Sequence, residues 1–156
     1  SIRIRTLQAT FPGCRFIYML RDPLYVTASS ICLFTQFRKL LLLDTDIKYM
    51  TSVSMNMTDL FYKYPLLECS DLKGKSLFIV TFNELISDAY SSIHNLYDNL
   101  GIDITDEFER FLLNSKSMVS QHKTKNQYDP EQFELTPEMI RDRFDYVYRD
   151  FPDLKG

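Results

Sequence analysis

Two residues with phosphate-binding chemistry, Arg21 and Ser29, stand eight positions apart in the first fifth of the chain. Arg21 closes a run of apolar residues, Phe16-Ile17-Tyr18-Met19-Leu20, and opens the tripeptide Arg21-Asp22-Pro23. A guanidinium presents a rigid fork of N–H donors that matches phosphate oxygens. Asp22 is a good N-cap and Pro23 a good first helical residue, so a helix is expected to start there. The N–H groups of its first turn would add partial positive charge to an anion site. At roughly 3.6 residues per turn, Ser29 falls about two turns into that helix, from where its hydroxyl can reach a phosphate oxygen that Arg21 also holds. A plainer reading is available for both: Arg21 pairs with an acidic neighbour, and Ser29 is a small residue at a helix contact.

The elements that would position this pair follow from hydrophobic periodicity. Ile2, Ile4 and Leu7 recur at helical spacing before the turn Phe11-Pro12-Gly13, which predicts a helix over 2–10. The continuous apolar run over 15–20 predicts a strand covered on both faces, and residues 24–37 a helix leaving its carboxyl end. A second, longer helix is expected over 40–64, with Met50, Val53, Met57, Leu60, Phe61 and Tyr64 as its apolar stripe and Pro65 as its stop. After the turn at 71–75, the run 76–82 predicts another buried strand. A helix over 88–100 then closes at Gly101. Thr105 caps a short helix to Leu113, residues 121–133 read as loop, and Thr136-Pro137-Glu138 opens a last helix to Asp150.

Strand, helix, strand, helix implies a parallel sheet, because consecutive parallel strands need a crossover. The fold class is therefore α/β, a three-layer α/β/α arrangement rich in helix. In such sheets ligands bind beyond the carboxyl ends of the strands, which directs attention to the residues after Leu20 and after Phe82.

Composition narrows the possibilities. The chain has 156 residues, 45% hydrophobic and 14% aromatic, enough for a core and the length of one domain, taken as 1–156. A net charge of -3 gives no general attraction to nucleic acid. The apolar run Leu40-Leu41-Leu42-Leu43, flanked by Arg38, Lys39 and Asp44, is too short to span a bilayer. Cys14, Cys32 and Cys69 are odd in number and lack metal-ligand spacing, which suits reduced thiols, a cytoplasmic setting and no metal. The chain starts at Ser1, so an N-terminal anchor preceding it, with the Golgi lumen as its compartment, is the alternative.

The stretch Phe11-Pro12-Gly13-Cys14-Arg15, the apolar run, Arg21-Asp22-Pro23 and the segment ending at Ser29 together resemble the sulfotransferases that use 3′-phosphoadenosine 5′-phosphosulfate (PAPS). In that family the arginine after the strand and the serine eight positions on hold the nucleotide's 3′-phosphate, which assigns that role to Arg21 and Ser29. A second likeness, Val80-Thr81-Phe82-Asn83-Glu84-Leu85 followed by Leu100-Gly101, is similar to the family's strand ending in a Tyr-Glu-Asp-Leu type of motif. Phe82 replaces the usual tyrosine; it keeps an aromatic face for the adenine and loses a hydroxyl, and a core aromatic is the equal alternative. A looser likeness lies at Gln121-His122-Lys123-Thr124-Lys125-Asn126-Gln127-Tyr128, where relatives carry a basic loop over the nucleotide. It would give Lys123 and Lys125 a phosphate to meet; an ordinary solvated loop, with His122 merely exposed, is the alternative.

The family also carries a Gly- and Ser/Thr-containing loop for the 5′-phosphosulfate, upstream of this region. Four glycines at 13, 74, 101 and 156 cannot assemble one. The resemblance thus implies the C-terminal part of a sulfotransferase domain whose P-loop part lies elsewhere, or a degenerate member, and it leaves the catalytic base unassigned. The acceptor would be a hydroxyl or amine on a carbohydrate, a protein tyrosine, a lipid or a small molecule. Two rivals remain: a nucleotide enzyme of another class, such as a kinase, and a non-catalytic interaction domain using its aromatic residues for a protein interface.

Overall fold

The structure is a computed structural model that describes residues 3–44, 46–119 and 130–154. In chain order the elements are helix α1 (Ile4–Thr10), strand β1 (Phe16–Leu20), α2 (Pro23–Leu40), α3 (Ile47–Lys63), β2 (Leu77–Thr81), α4 (Phe82–Ser87), α5 (Ala89–Leu100), α6 (Asp106–Val119), α7 (Pro137–Arg143) and α8 (Asp145–Asp150). Short helical turns lie at Tyr64–Glu68, Ser70–Leu72, Pro130–Phe133 and Pro152–Leu154. The chain groups into two compact units: 21–66 with the segment from 126 onward, and 3–20 with 67–125.

In the second of these units β1 and β2 pair in parallel, with Phe16 opposite Leu77 and Leu20 opposite Thr81. Side chains alternate along a strand, and the burial follows: Leu20 is fully buried, whereas Ile17 and Met19 on the opposite face are each 52% exposed. The expected cover on both faces of this strand is thus present on one. Arg5 of α1 is held by the Asp71 carboxylate, 2.5 Å away, and by the Glu68 carbonyl, fastening this helix beside the turn that leads into β2. Gly101, at φ +61°, takes the left-handed conformation that terminates α5, and its N–H returns to the carbonyls of Asp98 and Tyr97.

Several boundaries differ from the sequence-based expectation; α6, expected to stop at Leu113, runs on to Val119. The single helix foreseen over 40–64 is instead the end of α2, an exposed turn, and α3. Leu42 adopts positive φ in that turn, and Asp46 starts α3 by accepting from the Tyr49 N–H. Phe82 is the first residue of α4 and not the last of the strand. Thr81 ends β2 because its hydroxyl accepts from the Glu84 N–H while the Glu84 carboxylate accepts from the Thr81 N–H, a reciprocal cap. The last helix is broken at Phe144, whose ring is fully buried, into α7 and α8.

The first unit is built around α2 packed on α3, with α7 and α8 completing it. The stripe expected to be buried on α3 is rotated: Met57, Leu60 and Phe61 are exposed, and the buried face is Met50, Thr51, Ser54, Thr58, Asp59 and Tyr62. Polar residues can turn inward there because several are satisfied. Thr51 donates to the Phe133 carbonyl at 2.9 Å. Asp59 accepts from Lys63 at 2.9 Å, Arg143 at 2.8 Å and Tyr146 at 3.1 Å.

Candidate functional site

Arg21 sits in the turn between β1 and α2, half-buried, and Ser29 is half-buried on α2, the helix that this turn begins. Both belong to the first unit. The turn is fastened by four hydrogen bonds. The Asp22 carboxylate accepts from the Leu24 N–H at 2.8 Å and from the Tyr148 hydroxyl at 2.6 Å. The Tyr62 hydroxyl donates to the Arg21 carbonyl at 2.5 Å, and the Val26 N–H donates to the Asp22 carbonyl at 3.2 Å. Burial, and next the bond to Asp22, push the Tyr148 hydroxyl far above its usual ionisation range, so it remains a proton donor.

These bonds revise one part of the sequence-based picture. The N–H groups at the start of α2 were expected to strengthen an anion site. Pro23 has none, the Leu24 N–H is taken by the Asp22 side chain, and the Val26 N–H by the Asp22 carbonyl. The charge on Asp22 already complements the helix dipole. Of the first-turn N–H groups that leaves Tyr25's, and an anion at this place would otherwise draw on side chains such as the Arg21 guanidinium. Ser30, beside Ser29, directs its hydroxyl to the Val26 carbonyl at 2.9 Å.

Phe82, half-buried at the first position of α4, lies in the second unit. Lys123 and Lys125, with His122, fall outside the described residues. Two concavities stand elsewhere. One of 690 Å3 in the second unit runs along β2 and α5; Glu84, Asp88 and Asp98 outnumber its one cation, Lys73, which does not suit a polyanion. The other, of 280 Å3 in the first unit, lies among Lys48, Met55, Asn56, Met139 and Arg143. Arg21 and Ser29 line neither of these two. Among titratable groups, His94 and Glu109 meet at 2.8 Å and join α5 to α6, and Tyr90 also donates to Glu109. Among the described residues no cluster of His, Cys, Asp and Glu could hold a metal ion, and no helix is long and apolar enough to cross a membrane.

Sequence inspection missed Tyr62 and Tyr148. Their contacts join residues 41 and 126 positions apart, and no local pattern marks them.

Comparison with known proteins agrees with the strand–turn–helix geometry. No curated protein matches the sequence. The fold is similar to that of the crystal structure of sulfotransferase STF9 from Mycobacterium avium, with a TM-score of 0.80 at 23% identity, over 96% of this chain and 39% of that one. The chain therefore spans about two fifths of the length of the solved structure it matches. The model of the sulfotransferase family matches residues 2–106, which includes β1, the Arg21 turn, all of α2 and β2; the chain belongs to the sulfotransferase family.

Proposed function

We propose that the chain takes part in sulfuryl transfer from PAPS, and that its own share is to hold the nucleotide's 3′-phosphate through Arg21 and Ser29. The observation that carries this reading is the fastened turn that presents Arg21 at the head of α2, with Ser29 two turns along the same helix. A guanidinium with a hydroxyl is a fitting donor set for a phosphate dianion, and it gives the nucleotide a fixed point far from the reacting bond. Remote anchoring of this kind converts binding energy into orientation of the reacting centre.

In the reaction itself a lone pair of the acceptor oxygen or nitrogen forms a bond to sulfur. The bond from sulfur to the 5′-phosphate oxygen breaks, and its electron pair leaves with 3′-phosphoadenosine 5′-phosphate. The acceptor's proton passes to a general base. The acceptor belongs to the hydroxyl or amine class: carbohydrate, protein tyrosine, lipid or small molecule.

Calorimetric titration of the full-length protein with 3′-phosphoadenosine 5′-phosphate and with 5′-AMP, at fixed salt, tests the assignment. Arg21→Ala is expected to weaken the first ligand roughly ten- to a hundredfold and to leave AMP nearly unchanged, since a charge-assisted phosphate contact is worth about 1.5–3 kcal/mol. Equal weakening of the two ligands by Arg21→Ala would count against the assignment. Failure of the wild type to bind either ligand would move the reading to a non-catalytic interaction domain.

A further inference from the structure

The turn that carries Arg21 is held by two tyrosines from distant parts of the chain, and neither matches a motif. Tyr62, near the end of α3, donates to the carbonyl of Arg21 itself at 2.5 Å; Tyr148, on α8, donates to the Asp22 carboxylate at 2.6 Å. The two rings are themselves immobilised. Tyr62 is buried and packs edge-on against Phe144 with centroids 5.7 Å apart. Phe144 is fully buried and precedes Tyr148 by about one helical turn, and Tyr148 is buried as well.

We propose that Tyr62 and Tyr148 are positioning residues for the phosphate-binding arginine, a clamp that fixes the main chain from which its side chain extends. The proposal rests on the reading of Arg21 given above. An arginine side chain has several rotatable bonds, so its reach is only as well defined as the Cα–Cβ direction from which it starts. The Tyr62 bond fixes the peptide plane between Arg21 and Asp22, and the Tyr148 bond fixes the Asp22 side chain that in turn caps α2. Together they set the backbone angles of both residues. Binding groups held by a rigid supporting shell keep their geometry within a fraction of an ångström, whereas looser ones lose affinity for the ligand state they were shaped for. The two tyrosines touch no ligand in this scheme; they act through Arg21.

Tyr62→Phe and Tyr148→Phe remove one hydroxyl each and keep the ring packing. In the full-length protein each is expected to weaken 3′-phosphoadenosine 5′-phosphate about three- to tenfold, the size of one lost hydrogen bond, with the affinity for 5′-AMP unchanged. Tyr146→Phe is the control. It removes a comparable hydroxyl bond in the same unit, made to Asp59 rather than to Arg21 or Asp22, and should leave the preference for the 3′-phosphate intact. Melting temperatures measured alongside separate stability from preference, and if Tyr62→Phe does not fold, Tyr148→Phe carries the test. A wild-type preference that Arg21→Ala abolishes, but that both clamp variants keep in full while losing stability, overturns the clamp and leaves the site standing. A wild type with no preference for the 3′-phosphate removes the Arg21 reading, and the clamp with it.

Discussion

Replacing Asp59 should destabilise the first unit more than any single surface change. Its side chain is only 5% exposed, and it gathers donors from three places: Lys63 one turn along α3, Arg143 on α7 and Tyr146 on α8. In Asp59→Ala the two cations are not stranded, because Lys63 and Arg143 are 47% and 43% exposed and regain water, so each ion pair is worth only about 0.5–1 kcal/mol. The half-buried Tyr146 hydroxyl loses a bond to a charged acceptor, worth about 1.5 kcal/mol. The whole loss comes to about 3 kcal/mol, near the lower bound for breaking a buried pair. Asp59→Asn keeps the shape and one acceptor oxygen and should lose about half as much. Urea unfolding followed by circular dichroism reads this directly. With a slope of about 2 kcal/mol per molar, the midpoint of the alanine variant should fall by about 1.5 M with the slope unchanged. A shift below about 0.3 M, less than one exposed ion pair would give, would refute the view that Asp59 ties α3 to the C-terminal helices.

Two further outcomes follow from local structure. Thr81→Ala removes the hydroxyl that caps α4 and should lower stability by about 1 kcal/mol, with faster amide exchange confined to Phe82–Ser87. Stability should also decline above about pH 10: burial holds the Tyr18 and Tyr148 hydroxyls well above the ordinary tyrosine range, so the unfolded chain ionises first and binds fewer protons than the folded one. Below that pH the contribution is fully present. Unfolding midpoints at pH 9 and pH 11 measure the decline, and Tyr148→Phe should shrink it.

Much of the local architecture was written in short-range signals. The apolar run before Arg21, the Asp22-Pro23 helix start and the Gly101 stop each place an element within a residue or two of where it lies. The break between α2 and α3 was hidden because four leucines, Leu40 to Leu43, continue a helical pattern of apolar residues although they lie exposed in the turn region. Asp46 was the available cap signal, and the apolar run outweighed it. The Thr81-x-x-Glu84 box was equally readable, and the strand-like Phe78-Ile79-Val80-Thr81-Phe82 obscured it. The face of α3 could not be read from hydropathy, since its interior side is largely polar, with Thr51 satisfied by the Phe133 carbonyl and Asp59 by Arg143 of α7 and Tyr146 of α8. The same holds at the site. Arg21 and Ser29 announce themselves by type and spacing, whereas the hydroxyls that hold the turn come from remote positions that only the fold brings near.

The two compact units are interleaved along the chain, the first formed from 21–66 and the segment after 126, the second from 3–20 and 67–125. Neither can be cut out as a continuous piece. During synthesis the β1–β2 ladder waits until the whole α2–α3 segment has emerged, and α2 and α3 wait longer still. Tyr148 and Arg143, which satisfy Asp22 and Asp59, are made 126 and 84 residues after the carboxylates they serve. Pairings of such long sequence separation fold slowly. Until those residues emerge the nascent chain holds two buried-to-be carboxylates without these partners, a state in which chaperone capture or premature proteolysis competes with folding.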